Sequence, residues 1–319
     1  MPRATAWGSM FDPRDDAALL DLLAALDAGG YDFVTPTPET HARVFARSRY
    51  GATIRDLLGW SRIVPPDALP SALRTTLERA QVVEAVDGGW RSRIRVTRLR
   101  GRLFVHSPFP THDANAVFLG PDSYRFADFI VEELSRDAIC RTVVDVGTGS
   151  GVGIIVASGP ASPARFAMTD INAHALACAR INAAYAGLRV EALLGPGLAD
   201  FAGEVDLALA NPPYLIDENE RAYRHGGGML GGQLSLDMAV EIAARLSPGG
   251  RLLLYTGSAI VGGIDAFEAA LRGAAADAGC TLRYRELDPD VFGEELDRPA
   301  YAQAEVERIA AVGAVLTRR

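Results

Sequence analysis

The feature that most restricts the fold of this chain is an apolar segment that runs directly into a glycine-rich turn. Val143–Val146 is a short, mostly apolar run, and Gly147, Gly149 and Gly151 follow it at every second position. Glycines at the end of a strand let the backbone turn tightly and approach a ligand at the carboxyl edge of a sheet. The pattern therefore predicts a buried strand that ends at a ligand site.

The spacing of the glycines indicates which kind of site this is. A dinucleotide fingerprint requires G-x-G-x-x-G. Counted from Gly147, the last position of that pattern is Val152, and counted from Gly149 it is Ile154. The sequence has instead D-x-G-x-G-x-G, which begins at Asp145. The dinucleotide pattern is therefore excluded, and a carboxylate stands immediately before the turn.

The second half of the chain alternates predicted strands and helices with short connections. This order is typical of a largely parallel sheet covered on both faces, and the last two strands predict an antiparallel finish. The predicted strands are 142–146, 165–169, 205–210, 251–256, 281–286 and 309–316, and the predicted helices are 123–135, 173–186, 235–246 and 264–276.

A second carboxylate stands at the end of the next predicted strand. Asp170, followed by Ile171, lies about 20 residues beyond the glycines, where a carboxylate can accept two hydrogen bonds from ribose hydroxyls. Asp145 can accept from an amino group, directly or through water. The two carboxylates and the glycine turn together predict a site for a nucleoside that carries an amino-acid moiety.

A rigid acceptor motif follows the strand predicted at 205–210. Asn211 brings a side-chain oxygen, and Pro212 brings a carbonyl without a competing N–H. Pro213 stiffens the loop, and Tyr214 offers a flat face for a planar group. Two fixed acceptors suit an –NH2 group, because they take its hydrogens and direct the nitrogen lone pair at an electrophile. The motif therefore predicts chemistry at nitrogen.

These motifs resemble those of the class I S-adenosylmethionine-dependent methyltransferases with an Asn-Pro-Pro-Tyr motif, and in layout the release-factor glutamine N-methyltransferase group. The resemblance implies an α/β fold with a Rossmann-like seven-stranded sheet and S-adenosyl-L-methionine as cofactor. The implied cofactor-binding residues are Asp145, Gly147, Thr148, Gly149, Ser150, Gly151, Asp170, Ile171 and Asn211. The implied catalytic residues are Asn211, Pro212, Pro213 and Tyr214, and no metal is implied.

The sequence departs from that group in one part of the cofactor site. The group usually carries an acidic residue near the adenine, in a Gly-Asp pair. The corresponding residues here are Leu194, Gly195, Pro196 and Gly197. We therefore expect backbone or apolar contacts to hold the adenine.

The first part of the chain predicts a different module. Helices are predicted at 12–26, 38–47, 53–60 and 68–80, followed by a hairpin of strands 90–97 and 103–106. This order resembles a winged helix and predicts an N-terminal substrate or dimerisation domain, 1–121, before a catalytic domain, 122–319. Arg91, Arg93 and Arg95 alternate onto one predicted strand face, which is either a nucleic-acid contact or a solvated surface. The near-neutral charge of this part favours the solvated surface.

A long loop follows the acceptor motif. Residues 216–234 include several charged side chains before a run of three glycines, Gly226–Gly228, and predict a lid over the substrate. Its acidic residues are expected either to hold a cationic substrate or to form an ordinary solvated surface.

The charge of the chain guides the prediction of its acceptor. The formal net charge is −8, which argues against broad binding to phosphate backbones. The main prediction is N-methylation of a small amine, amide or guanidino compound, with nucleic acid disfavoured as a partner. The alternatives are a protein glutamine or nucleic-acid base N-methyltransferase, and a non-catalytic winged-helix protein that senses the cofactor.

The remaining composition bears on location and assembly. Cys140, Cys178 and Cys280 are too few and too widely spaced for a disulfide framework, and no apolar run is long enough to span a membrane. We therefore expect a cytoplasmic protein without membrane contact. A homodimer is the candidate assembly.

Overall fold

The computed structural model describes residues 13–111, 113, 115–134, 140–159, 165–217 and 224–319. Its N-terminal part consists of four helices followed by two hairpins, as the sequence predicts in outline. The helices are α1 (Pro13–Ala28), α2 (Pro38–Arg47), α3 (Ile54–Leu58) and α4 (Ser71–Arg79). The hairpins pair β1 (Val83–Val86) with β2 (Gly89–Ser92), and β3 (Arg95–Leu99) with β4 (Arg102–His106).

Two of these helices begin at threonine caps. The Thr37 side chain accepts a hydrogen bond from the backbone N–H of Thr40 at the start of α2, and Thr53 forms a reciprocal capping box with Asp56 at the start of α3. Such caps satisfy backbone N–H groups that have no partner inside the helix. The caps are local in sequence, so the start of each helix could be predicted to within a residue or two.

The predicted strand 90–97 is wrong, because it divides between two hairpins. The Ser92 hydroxyl donates to the carbonyl of Ile94 at 2.7 Å and accepts from its N–H at 3.2 Å. These local hydrogen bonds replace strand pairing at this point. Arg91 and Arg95 therefore lie on different hairpins, and Arg95 is buried. The assignment of this part to the winged-helix class stays a prediction.

The rest of the chain forms the predicted sheet. Seven strands lie in the order β7-β6-β5-β8-β9-β12-β11, and the first five are parallel. Strand β12 runs antiparallel to its neighbours β9 and β11, so β11 has the same direction as the first five, and short β10 pairs antiparallel with β9. The strands are β5 (Thr142–Val146), β6 (Arg165–Asp170), β7 (Glu191–Leu194), β8 (Val205–Ala210), β9 (Leu246–Val261), β10 (Ile264–Asp265), β11 (Cys280–Asp288) and β12 (Val306–Arg318). The seven-stranded α/β prediction is confirmed.

Helices cover both faces of the sheet. They are α5 (Pro121–Leu134), α6 (Val152–Ala157), α7 (Ala173–Tyr185), α8 (Gln233–Ala243), α9 (Ala266–Asp277) and α10 (Pro299–Gln303). Successive residues of β5 belong to different core clusters: Val143 lies in the cluster of Phe126 of α5, and Val144 lies in the cluster of Ile242 of α8. A strand that is covered on both faces is apolar at successive positions, which is why β5 was recognisable as a buried strand.

The strand β9 is much longer than the predicted 251–256. Its antiparallel partner β12 pairs with it from Val306 opposite Val261 to Thr317 opposite Arg251. The length of β9 depends on a partner strand more than forty residues away in sequence, so the local sequence pattern could not predict it. Helix α6, strand β7 and helix α10 were also not predicted, because each is only four to six residues long.

The N-terminal helices and hairpins have a core of their own, which also reaches the sheet. Leu22, Leu57 and Ile94 pack in a cluster that includes Ile181 of α7. Conversely, Phe104 of β4 packs in the core beneath the sheet. The boundary predicted after residue 121 stays a prediction. Across the described ranges, no helix has both the length and the apolar character needed to cross a bilayer.

Candidate active site

A cavity of about 780 Å³ lies at the carboxyl ends of the parallel strands. Strand β5 has β6 on one side and β8 on the other, so chain connections depart in opposite directions here. Such a switch point is where open α/β sheets bind ligands. Of the predicted site residues, those that line the cavity are Asp145, Gly147, Thr148, Gly149, Ser150, Asp170, Ile171, Asn211, Pro212, Pro213 and Tyr214.

The glycine turn leaves open space for a ligand. Gly147 and Gly149 have φ angles of 68° and 56°, a backbone conformation that favours glycine. A Cβ added to Gly149 would meet nothing within 4 Å, and one on Gly147 would meet only the Met238 methyl at 3.8 Å. A ligand can therefore lie directly against this backbone. The amino-acid moiety of S-adenosylmethionine fits such a surface.

Gly151 has a different place from the one the sequence suggests. It does not line the cavity, and a Cβ on it would lie 3.3 Å from the Cα of Ala179 in α7. Its φ of 82° and this close approach let α6 begin directly against α7. Gly151 thus serves helix packing, and no cavity contact supports its predicted place among the cofactor-binding residues.

The buried carboxyl of Asp145 joins the glycine turn to the start of α6 through hydrogen bonds. Its Oδ2 accepts hydrogen bonds from the Thr148 hydroxyl at 2.7 Å and from the N–H of Ile154 at 3.0 Å. A carboxyl near the first turn of α6 is favoured by the helix dipole. Burial, which is the largest effect, raises the pKa of this carboxyl to about 7. The expected contact of Asp145 with the cofactor amino group stays a prediction.

Asp170 joins the end of β6 to the glycine turn. Its Oδ2 accepts from the N–H of Gly149 at 2.9 Å, and its Oδ1 accepts from the N–H of Asn172 at 2.8 Å. Burial raises the pKa of the carboxyl. A carboxylate has about four acceptor positions, so it can also take ribose hydroxyls. Ile171 is 62% exposed beside it and presents an apolar surface to the cavity.

The Asn-Pro-Pro-Tyr motif follows β8 directly, as predicted, but the position of Tyr214 differs from the expectation. Its side chain is only 6% exposed. The ring lies over Gly257 of β9, where an added Cβ would be 2.1 Å from the Tyr214 Cδ2. The ring therefore anchors the loop, and little of its face is available to a planar acceptor. Asn211 and both prolines line the cavity above it.

Asp122 lies beside this anchor and was not singled out as a site residue. It stands in the first turn of α5, lines the cavity, and accepts a hydrogen bond from the Tyr255 hydroxyl at 2.8 Å. Its pKa is raised by burial. Sequence analysis gave it no role, because its partner Tyr255 is 133 residues away.

The N-terminal part supplies another wall of the cavity. Pro38, Phe109, Pro110 and Thr111 line it. The Phe109 ring stacks on the buried His41 at 4.1 Å between ring centroids. Nothing in the spacing of these residues points to a ligand, so sequence reasoning missed them.

The predicted lid is only partly described. Glu218, Glu220, Arg221 and Tyr223 lie outside the described residues. Arg224 lines the cavity, and its guanidinium pairs with Glu295 and lies 3.7 Å from Asp217. Asp217 is 1% exposed and is not among the residues that line the cavity. Neither alternative given for the lid acids therefore describes Asp217, which is buried away from the cavity.

Comparisons with known proteins agree with this site. Residues 113–258 match the family described as methyltransferase small domain. A release factor glutamine methyltransferase from Deinococcus radiodurans is 32% identical over 247 residues, which cover 74% of this chain and 84% of that protein. A ribosomal protein L11 methyltransferase from Geobacter metallireducens is 27% identical, with coverage of 70% and 68%. A ribosomal RNA small subunit methyltransferase C from Sodalis glossinidius is 29% identical, covering 33% of this chain and 35% of that protein.

These relatives correct the prediction of a small-molecule acceptor. Their names give a release factor, a ribosomal protein and ribosomal RNA as substrates. The expectations that favoured a small molecule and disfavoured nucleic acid are therefore wrong. The net charge was a poor guide to the acceptor, because it describes the whole protein surface and not the rim of one cavity. Each relative is also named as a methyltransferase, which argues against the non-catalytic alternative.

Proposed function

The chain belongs to the S-adenosylmethionine-dependent methyltransferase family that includes the release factor glutamine methyltransferases, and from this premise we propose that it N-methylates a glutamine side-chain amide in a protein. The observation that carries the proposal is the position of Asn211 and Pro212. They follow β8 and face the same cavity as the glycine turn after the neighbouring strand β5.

The proposed cofactor contacts follow the order of the strand ends. Gly147 and Gly149 receive the amino-acid moiety, because the space above them is open. Asp170 accepts the ribose hydroxyls, and Ile171 packs against the base. When bound, the cofactor supplies an electrophilic methyl group on a sulfonium sulfur.

The acceptor nitrogen is positioned by two oxygens. The Asn211 side-chain carbonyl and the Pro212 backbone carbonyl accept the two amide hydrogens, and the prolines hold these oxygens in fixed positions. The nitrogen lone pair then points at the methyl carbon. With the cofactor bound, the N–C bond would form as the S–C bond breaks, the electron pair of that bond would pass to sulfur, and one proton would then leave the nitrogen. The two acceptors stabilise positive charge as it develops on the nitrogen.

A protein side chain also suits the walls near this point. Phe126, Phe292 and Phe109 line the cavity together with the prolines of the motif. Apolar walls pack against the methylene groups of a glutamine and exclude water from the reacting groups. The N-terminal wall places the cavity between two parts of the chain, where a protruding loop of a partner protein can enter.

The proposal is tested by finding the labelled product. Protein with methyl-labelled cofactor is incubated with purified release factors, with ribosomal proteins and with ribosomal RNA, and the Asn211→Ala variant serves as control. We expect label in a protein, at a glutamine that gains the mass of one methyl group in peptide mass spectrometry. Label confined to RNA would overturn the glutamine proposal in favour of a nucleobase amine, which Asn211 and Pro212 can hold in the same way.

A further inference from the structure

The base of the cofactor must lie at one end of the cavity. With the cofactor contacts proposed above, the sulfur would lie beside Asn211 after β8, and the ribose would lie beside Asp170 after β6. The sheet runs in the order β8-β5-β6-β7, so the base lies beyond the ribose, toward the end of β7. The loop there is Gly195–Gly197, which lines the cavity and carries no acceptor side chain.

A purine with an exocyclic amine presents hydrogen-bond donors at this end. A binding site that reads such an amine needs an acceptor, and one that lacks it leaves a donor without a partner at a cost in affinity. The sequence predicts only backbone and apolar contacts here. The fold changes that expectation, because α8 packs against the loop that follows β7.

Glu241 of α8 brings a carboxylate to this loop. Its Oε1 accepts a hydrogen bond from the N–H of Leu198 at 2.7 Å. Its Oε2 would lie 2.2 Å from a Cβ added to Gly197, whose φ is 52°. The carboxylate therefore occupies the space that a side chain at position 197 would need. Glu241 also lines the cavity, so one oxygen is held by the loop while the group borders the cofactor site.

Two apolar side chains complete this end. Ile171 is largely exposed into the cavity, and Met238, three residues before Glu241 on α8, lines it as well. Flat bases pack well between such side chains, and the edge of the base is then left for a polar contact. Asp237 also lines the cavity, and its Oδ1 accepts from the Gln233 amide at 2.8 Å.

We propose that Glu241 is the residue that selects adenine, by accepting a hydrogen bond from its exocyclic amine. A carboxylate from α8 thus replaces the acidic residue that this chain lacks after β7. This inference concerns the cofactor and does not depend on the acceptor substrate. Its test can therefore fail while the glutamine proposal holds, and the reverse is also true.

The test compares two ligands that differ at the base edge. S-adenosylhomocysteine carries an exocyclic amine, and S-inosylhomocysteine carries an oxygen acceptor in its place. Titration calorimetry measures the dissociation constant of each for the wild type and for Glu241→Gln. The glutamine oxygen can still accept from Leu198, so the loop keeps its contact.

We expect the wild type to prefer S-adenosylhomocysteine by at least about tenfold. In Glu241→Gln this preference falls toward one or reverses, because the amide N–H donates to the oxygen of the inosine ligand. Asp237→Asn, one turn earlier on the same helix, keeps the wild-type preference. An unchanged ratio in Glu241→Gln, or a ratio that shifts with Asp237→Asn instead, overturns the assignment. Thermal unfolding of each variant confirms that the fold is retained.

Discussion

Asn211 is the side chain on which methyl transfer depends most directly in the proposed mechanism. Its oxygen is one of two acceptors for the amide hydrogens, and it is held at the end of β8 beside two prolines. We predict that Asn211→Ala lowers kcat by about 10²- to 10³-fold, the cost of losing one positioned polar partner of the reacting group. Single-turnover rates measure this loss, since they exclude product release.

Cofactor affinity is the control for this substitution. The resemblance also implies a cofactor contact for Asn211, but in the proposed mechanism its side chain contacts the acceptor amide. The glycine turn and Asp170 are untouched, so S-adenosylhomocysteine should bind to Asn211→Ala with a dissociation constant within about threefold of the wild type. A variant that binds the cofactor normally and also turns over normally would contradict the assigned role.

Asp145 makes stability depend on pH. Burial raises the pKa of its carboxyl from 3.8 to about 7. Between these values the folded protein keeps a proton that the unfolded chain releases. The free energy of unfolding contributed by this group is therefore highest below pH 3.8 and falls as the pH rises to about 7. The slope approaches about 1.4 kcal/mol per pH unit in that window.

Asp145→Asn removes this titration. We predict that its free energy of unfolding, measured in urea, falls less steeply than that of the wild type between about pH 4 and pH 7. Burial also raises the pKa values of Asp122 and Asp170, but both proteins share those contributions. The difference between the two curves therefore isolates Asp145. Parallel curves would show that its carboxyl titrates normally.

At the scale of elements, the Asn-Pro-Pro-Tyr loop is held by strand β9. Gly257 lies under the Tyr214 ring, and an added Cβ would be 2.1 Å from it. We predict that Gly257→Ala destabilises the protein by about 1–3 kcal/mol, the usual cost of overpacking a core. It should also lower kcat, because a displaced ring moves Asn211.

Gly273 in α9 provides the matched control. A Cβ there would meet nothing within 4 Å, and alanine in a helix is favoured over glycine by about 0.5–1 kcal/mol. Chemical unfolding should therefore show Gly273→Ala slightly more stable than the wild type and equally active. If Gly257→Ala behaves like Gly273→Ala, Tyr214 does not depend on this contact.

At the scale of the whole molecule, Asn182 of α7 connects the N-terminal part with the cofactor site. Its Nδ2 donates to the carbonyls of Val105 in β4 and Ser150 in the glycine turn, at 2.9 and 2.8 Å. Its Oδ1 accepts from the N–H of Val105 at 2.8 Å. One buried amide therefore fixes β4, and with it the wall at Phe109, relative to the turn.

Removal of this amide takes the hydrogen-bond partner from three buried backbone groups: the N–H and the carbonyl of Val105, and the carbonyl of Ser150. We predict that Asn182→Ala lowers the free energy of unfolding by about 3 kcal/mol, since each unpaired buried group costs about 1–3 kcal/mol and water replaces part of the loss. Urea unfolding measures the change. Asn115→Ala, at an exposed asparagine, should change stability by less than about 0.5 kcal/mol. Equal stability of the two variants would refute the connecting role.

The sequence by itself determined the features that depend on neighbouring residues. The apolar run of β5 predicts a buried strand, the glycines after it require a turn with positive φ, and the carboxylate of Asp170 falls at the next strand end. Asn211 and the two prolines form a rigid loop whatever surrounds them. These local patterns were enough to predict the sheet and chemistry at nitrogen, and their resemblance to a known family implied the cofactor.

The tertiary structure alone decided the features that depend on distant segments. Tyr214 is buried because Gly257 comes beneath it, and Gly151 serves packing because α7 passes within van der Waals contact. Glu241 reaches the loop after β7 although Leu198 and Glu241 are 43 residues apart. Periodicity and motif spacing describe one segment at a time. Which face of one segment meets another is set by packing of the whole core, and only the folded chain contains that information.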